Sequence, residues 1–172
     1  MTRPEIRFDK PSDWPEIERI CAAAFGRSAE FDLLCRLRDD NDLAMLLVAE
    51  SAGAVAGVAA FSELAIEGAE LVRAAALAPI AVDPDRQASG VGAALIRAGI
   101  AQCRKKGIGA IVVLGYPRYY ARFGFSTEAA AGIEAPWSGP NLMALSLRDE
   151  TPALVGRARY PAAFEAERER DG

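Results

Sequence analysis

Apolar residues change period along the chain, and each change marks an element. Ile6 and Phe8 alternate with charged neighbours, which predicts a first strand over 5–10. The repeat then becomes helical: Ile17, Ile20, Cys21, Ala24 and Phe25 share one face, and Gly26 ends the run. Residues 11–16 read as the start of this helix, with Asp13 placed to cap it and Glu16 placed to bond back. A second helix is predicted over 28–38, with Phe31, Leu34, Cys35 and Leu37 turned inward. After the charged turn Asp39-Asp40-Asn41-Asp42, the run Met45-Leu46-Leu47-Val48-Ala49 is apolar on both faces, as in a central strand over 43–50. Ala52-Gly53 leads into a long strand over 55–66, and residues 67–70 turn back into another over 71–82. These three strands make an antiparallel meander.

Pro79 falls inside the last of them. Proline has no N–H to give a ladder, so it marks an edge or a bulge. Asp83-Pro84-Asp85 ends the strand. An apolar helix follows from Gly90 to Lys106, with Arg104-Lys105-Lys106 where cations suit the dipole and Gly107 as its stop. Residues 108–114, Ile-Gly-Ala-Ile-Val-Val-Leu, read as a buried parallel strand reached by a right-handed crossover. Residues 115–125 read as a turn, a short helix starting near Pro117 and a glycine end-cap, and a short strand is predicted over 125–128. Residues 129–141 form a loop in which Trp137 either anchors in the core or faces a bound ligand, and 142–147 is the last clear strand. Residues 149–172 read as a C-terminal extension of a single domain spanning 1–172. Its apolar clusters at 153–156 and 160–164 can pack on that domain, while 165–172 is a charged tail expected to fray.

Composition narrows the chemistry. Apolar residues are 51% of 172, enough for a sizeable core. A net charge of −4 argues against nucleic acid or an anionic membrane as the main partner. There is no histidine, so no imidazole base or histidine metal ligand is available, and no metal site is expected. Cys21, Cys35 and Cys103 fit no zinc or redox spacing and read as free thiols of a cytoplasmic protein. The polar, charged residues 1–10 are unlike a signal peptide, and no apolar run is suited to spanning a bilayer.

The stretch from Ile80 to Ile96 carries the most specific signal. Ile80-Ala81-Val82 ends a strand, and Gln87-Ala88-Ser89-Gly90-Val91-Gly92-Ala93 opens a helix. A helix N-terminus offers unpaired N–H groups and the positive end of a dipole, and glycine lets an anion approach the backbone. A Walker loop needs Lys-Ser or Lys-Thr where Ala93-Ala94 stands, and a dinucleotide fingerprint needs Gly or Ala where Leu95 stands. What fits is Gln87-x-x-Gly90-x-Gly92 directly after a strand, which resembles motif A of the GNAT superfamily of acyl-CoA-dependent N-acetyltransferases. A second motif agrees: Gly115-x-Pro117-x-Tyr119-Tyr120-x-Arg122-Phe123-Gly124-Phe125 places Tyr120 four residues before a Gly-Phe pair, as motif B of that superfamily does. The segment is similar to the bacterial YhbS-like branch. The resemblance is strongest over 71–125, and the strand pattern supports it over 5–148.

The resemblance implies a mixed α/β fold, with a twisted, mostly antiparallel central sheet of about six to seven strands flanked by about four helices. It implies that acetyl-CoA is the co-substrate, with its pyrophosphate on Gln87, Ala88, Ser89, Gly90, Val91, Gly92 and Ala93, and its pantetheine arm along Ile80, Ala81 and Val82. The cofactor strand is expected to part from its neighbour near Pro79, and the gap admits the thioester. A backbone N–H near Ile80 can then stabilise the tetrahedral oxyanion. Tyr120, a phenol of reference pKa about 10, is the expected donor to the leaving thiolate, and Tyr119 is the alternative if the register shifts by one. Arg118 and Arg122 either touch phosphate or face solvent. The residues 74–82 contain no carboxylate, where many relatives keep a base; Glu63, Glu70 or a water relay are the options. Arg73 either meets an acidic acceptor group or lies exposed. The predicted reaction is acetyl transfer to a primary amine by direct attack, and a homodimer is compatible with the family. A non-catalytic acyl-CoA sensor and a GNAT-shaped interaction domain are the alternatives.

Overall fold

The computed structural model describes residues 3–151 and 153–171. The elements run β1 (Glu5–Phe8), α1 (Trp14–Phe25), α2 (Ala29–Asp39), β2 (Leu43–Ser51), β3 (Ala54–Glu67), β4 (Leu71–Val82), α3 (Val91–Lys105), β5 (Ala110–Leu114), α4 (Pro117–Tyr120), α5 (Thr127–Ala130), β6 (Ile133–Glu134), β7 (Leu142–Ser146), β8 (Gly156–Arg159) and α6 (Ala162–Asp171). Eight strands share one sheet in the order β1-β2-β3-β4-β5-β7, with β8 bound to β3 and β6 off that path. The meander β2-β3-β4 is antiparallel. Only β4–β5 and β6–β8 pair in parallel among the described strands. The sheet is thus mixed and mostly antiparallel, as expected, with the short β6 and β8 raising the strand count.

The two faces of β3 bury different helices, because successive side chains on a strand point to opposite sides. Ala59 and Phe61 join Leu95, Ile96 and Ile100 of α3 in one core, while Val58 and Ala60 join Ile17, Ile20 and Leu34 of α1 and α2 in another. Gly99 receives the Phe61 ring: a Cβ there would lie 2.0 Å from Phe61 Cζ, so α3 sits close to the sheet only because this position has no side chain.

The entry to α1 differs from expectation. Asp13 does not cap α1. Its carboxylate accepts from the Lys10 amide at 2.7 Å and takes a fork from Arg7 at 2.8 and 2.9 Å, while Glu16 bonds Arg19 instead of bonding back. Arg7 also reaches Glu50 at 2.9 Å, so one guanidinium ties β1, β2 and the start of α1. The hydrogen bonds from Arg7, against the opposing effect of burial, hold the Asp13 carboxyl below the usual carboxylate range. A lowered folded-state pKa contributes stability that is present above the unfolded pKa and lost as pH falls through the folded one. Asp13→Asn is expected to lower unfolding free energy at pH 7 by about 2 kcal/mol, with the deficit closing below about pH 4. Urea unfolding of both proteins at pH 7 and pH 3 measures it.

Two segments of the second half also differ. Residues 125–128 are not a strand: Ser126 Oγ accepts from the Ala129 amide at 3.0 Å and starts α5, leaving one bridge from Ser126 to Ala144. The charged segment 165–171, expected to fray, is helical within α6. Ala163 and Phe164 of α6 pack against Leu33, Leu37 and Ala76, and Trp137 stands edge-on to Tyr160 at 4.9 Å in the same cluster. On α2, Leu33 is buried where Cys35 and Phe31 are only half-buried. Cys21 and Cys103 lie in the core, and burial pushes both thiols up to about 12. No helix among the described residues is long and apolar enough to cross a membrane.

Candidate active site

Strand β4 parts from β5 in mid-course. The two pair only from Ala74–Ala110 to Ala76–Val112, after which β4 continues with β3 to Val82 and β5 continues with β7 to Leu114. A bulge sits at the parting. Ala59 faces Ile80 and Phe61 faces Leu77, so Ala78 and Pro79 together oppose Ala60. Of the two expectations for Pro79, an edge or a bulge, the register shows a bulge, and its physical basis is the missing N–H of proline. Beyond Ala76 the β5-facing edge of β4 has no ladder partner, and a cleft of about 490 Å³ opens there, with Ala78, Ile80, Gly115 and Tyr120 in its wall.

A second cleft, about 680 Å³, continues past the end of β4 and shares Phe25, Ile80 and Tyr119 with the first. Its floor is the loop into α3. Asp83 accepts from the Asp85 amide at 3.0 Å and pairs with Arg19, which fixes the turn after Val82. Ala88 at φ +60° and Gly90 at φ +87° then swing the chain into the helix. The first helical bond of α3 runs from Ala94 N–H to Gly90 O at 3.0 Å. The amides of Val91, Gly92 and Ala93 precede it and have no helical carbonyl to meet. Arg86 and Arg122 line the same cleft, so the charge around those amides is positive.

Of the ten residues expected to hold the cofactor, Ile80, Ala81, Val82, Gln87, Ala88, Gly90, Gly92 and Ala93 line this second cleft. The side chains of Ser89 and Val91 do not. Ser89 Oγ donates back to Arg86 O, and Val91 is buried in the core, within reach of Gly57. Gln87 Nε2 donates to Val82 O at 3.2 Å and braces the loop.

The two adjacent tyrosines point to different parts of the cleft. Tyr120 is buried against Phe125, and a Cβ at Gly115 would lie 2.5 Å from its Cε2. Residue 115 is therefore glycine so that this ring can sit at the end of β5. Burial pushes the Tyr120 phenol up to about 12, with neighbouring Tyr119 adding to the shift. Tyr119 turns toward α3: its hydroxyl would be 3.1 Å from a Cβ at Gly92, and Arg122 lies over its ring at 4.7 Å. Tyr120 thus stands in the β4/β5 gap and Tyr119 at the mouth of α3.

Neither carboxylate considered from sequence lines either cleft. Glu63 is bonded to Arg73 at 2.7 Å, Arg73 also reaches Lys106 O at 2.9 Å, and Glu70 is exposed in the β3–β4 turn. Arg73 is thereby accounted for by Glu63 and α3. The first cleft instead holds Glu30 of α2 and Glu167 of α6, together with Leu33, Trp137, Tyr160 and Phe164. Glu30 carries a sequence signal in retrospect: with Leu33 and Leu37 it occupies the inward stripe at i, i+3 and i+7. Among the described residues no group of three His, Cys, Asp or Glu is placed to hold a metal ion.

Comparison with known proteins agrees with this geometry. A family profile described as an acetyltransferase (GNAT) domain matches residues 5–127. The chain is 35% identical over 135 residues to the uncharacterized N-acetyltransferase YhbS of Escherichia coli strain K12, covering 78% of this chain and 80% of that protein. The crystal structure of YhbS from Escherichia coli in complex with CoA superposes with a TM-score of 0.87 at 32% identity, covering 95% of this chain and 92% of the other. A GNAT family acetyltransferase from Brucella melitensis in complex with acetyl-CoA gives a TM-score of 0.78 at 35% identity, covering 94% and 98%. The profile match over 5–127 and the identity to YhbS show that the chain belongs to the GNAT acetyltransferase family.

Proposed function

We propose that this chain transfers the acetyl group of acetyl-CoA to a primary amine by direct attack, without a covalent enzyme intermediate. The observation that carries the proposal is the junction of two features in one cleft: the unpaired amides at the start of α3, and the β4/β5 gap with Tyr120 in its wall. The pyrophosphate lies on the backbone of residues 87–93, where the Val91, Gly92 and Ala93 amides and Arg86 supply positive charge. The pantetheine arm runs along Ile80–Val82 toward the gap. The CoA and acetyl-CoA complexes of the two structural relatives support acetyl-CoA as the co-substrate.

The ammonium first gives a proton to water, the free amine nitrogen attacks the thioester carbonyl carbon, a backbone N–H near Ile80 stabilises the oxyanion, and the nitrogen passes its surplus proton to water. Collapse breaks the C–S bond and leaves an amide. The Tyr120 hydroxyl gives its proton to the departing thiolate, and the phenolate regains one from solvent. Calorimetric titration with acetyl-CoA is expected to show one site in the range of about 1 μM to 1 mM. Thiol release is expected on adding a primary amine. Absence of binding overturns the proposal, and binding without release from any amine favours a sensing module that lacks a base.

A further inference from the structure

We infer that Glu30 is the acceptor-ammonium site of the first cleft, and that this cleft selects a primary amine carried on an apolar body of about the size of a ring. The inference rests on the acetyl-transfer reading above and names the acceptor for it. A carboxylate withdrawn from water must find compensating partners. Glu30 is 9% exposed. Its Oε1 takes both bonds from Arg27, at 3.0 and 2.7 Å from Nε and Nη2. Its Oε2 is buried with no hydrogen-bond partner. Arg27 therefore holds the group end-on, and half of its acceptor capacity is unused in a side chain that lines the cleft. Ammonium is the ligand chemistry that meets such an oxygen, because it brings both a positive charge and donors.

The walls decide what the ammonium is attached to. Phe25, Leu33 and Tyr116 line the same cleft, as do the edge-on rings of Trp137, Tyr160 and Phe164. Such surfaces favour an aromatic or branched aliphatic body, with the charged Glu167 and Arg168 of α6 also in the wall. Ala78, Pro79 and Ile80 of β4, at the parting of β4 from β5, line the same cleft as Glu30, so a bound amine shares one space with the thioester gap. Glu30 binds and orients the acceptor as its ammonium, which gives a proton to water before the nitrogen attacks; the proton donor to sulfur remains Tyr120.

The test compares wild type with Glu30→Gln, which keeps shape and removes charge. Wild type is expected to release thiol faster with phenethylamine and isoamylamine than with spermidine or glucosamine. In Glu30→Gln the KM for phenethylamine rises about tenfold or more, kcat stays within about threefold, and acetyl-CoA affinity is unchanged. Should Glu30→Gln fail to fold, competition on wild type decides. N,N-dimethylphenethylamine, a cation that yields no stable amide, is expected to inhibit about tenfold better than uncharged 2-phenylethanol. An unchanged KM in the variant, equal inhibition by the two competitors, or faster turnover of spermidine or glucosamine overturns the inference while leaving acetyl-CoA binding intact. Loss of acetyl-CoA binding in wild type instead overturns the acetyl-transfer proposal itself.

Discussion

Gly90→Glu is expected to abolish acetyl-CoA binding, weakening it by at least about a hundredfold, or about 2.7 kcal/mol. Two effects act at this position and can be separated. Gly90 has φ +87°, a left-handed conformation that costs a residue with a Cβ about 1–2 kcal/mol. A Cβ built there meets nothing within 4 Å, so the protein itself does not exclude a side chain. Backbone strain is therefore common to Gly90→Ala and Gly90→Glu, and both lower the melting temperature by a similar amount. Only glutamate adds a carboxylate beside the proposed pyrophosphate site, where α3 offers its free amides. Calorimetry on all three proteins makes the comparison: Gly90→Ala keeps measurable affinity and Gly90→Glu does not. Affinity retained in the folded glutamate variant places the phosphates somewhere other than this loop.

This loop was legible from sequence because its physics is local. Glycine spacing, a preceding strand and a following apolar helix lie within one short stretch, and β4 has its predicted limits of Leu71 and Val82. The bulge at Pro79 was legible for the same reason, since proline's missing donor is a property of one residue. What stayed hidden depends on partners distant in the chain. Gly99 and Gly115 are small to admit Phe61 and Tyr120, rings that only the folded sheet brings near them. Segment 165–171 has the composition of a solvated tail, yet Ala163 and Phe164 anchor it on Leu33 and Leu37. Helices of that length draw their stability from tertiary packing more than from propensity. Placing Phe31 and Cys35 inward on α2 turned the helix slightly away from its true stripe, and this concealed Glu30. Glu63 and Glu70 adjoin the cofactor strand in sequence, but the β3–β4 hairpin carries them away from both clefts.

Tyr120→Phe is expected to lower kcat by about 10² to 10³ while changing acetyl-CoA affinity by less than about twofold. The substitution removes one oxygen and keeps the ring, which is held by the absence of a side chain at Gly115 and by Phe125 at 5.8 Å. Little packing is lost, so stability stays near that of wild type. The pH dependence sharpens the expectation. A phenol is neutral and able to donate below its pKa, and burial pushes the Tyr120 pKa up to about 12. It holds its proton throughout neutral and moderately alkaline solution, and its ionisation does not limit the rate below that range. Any fall in wild-type activity between about pH 8 and 10 belongs to another group and persists in Tyr120→Phe at the reduced rate. Tyr119→Phe provides the contrast, because that hydroxyl is turned toward Gly92 at the start of α3. Its loss is expected to affect cofactor affinity before turnover. Single-turnover thiol release under saturating acetyl-CoA separates the two tyrosines: full activity in Tyr120→Phe removes it from the proton path, and a slow Tyr119→Phe with normal affinity moves the donor one residue along the chain.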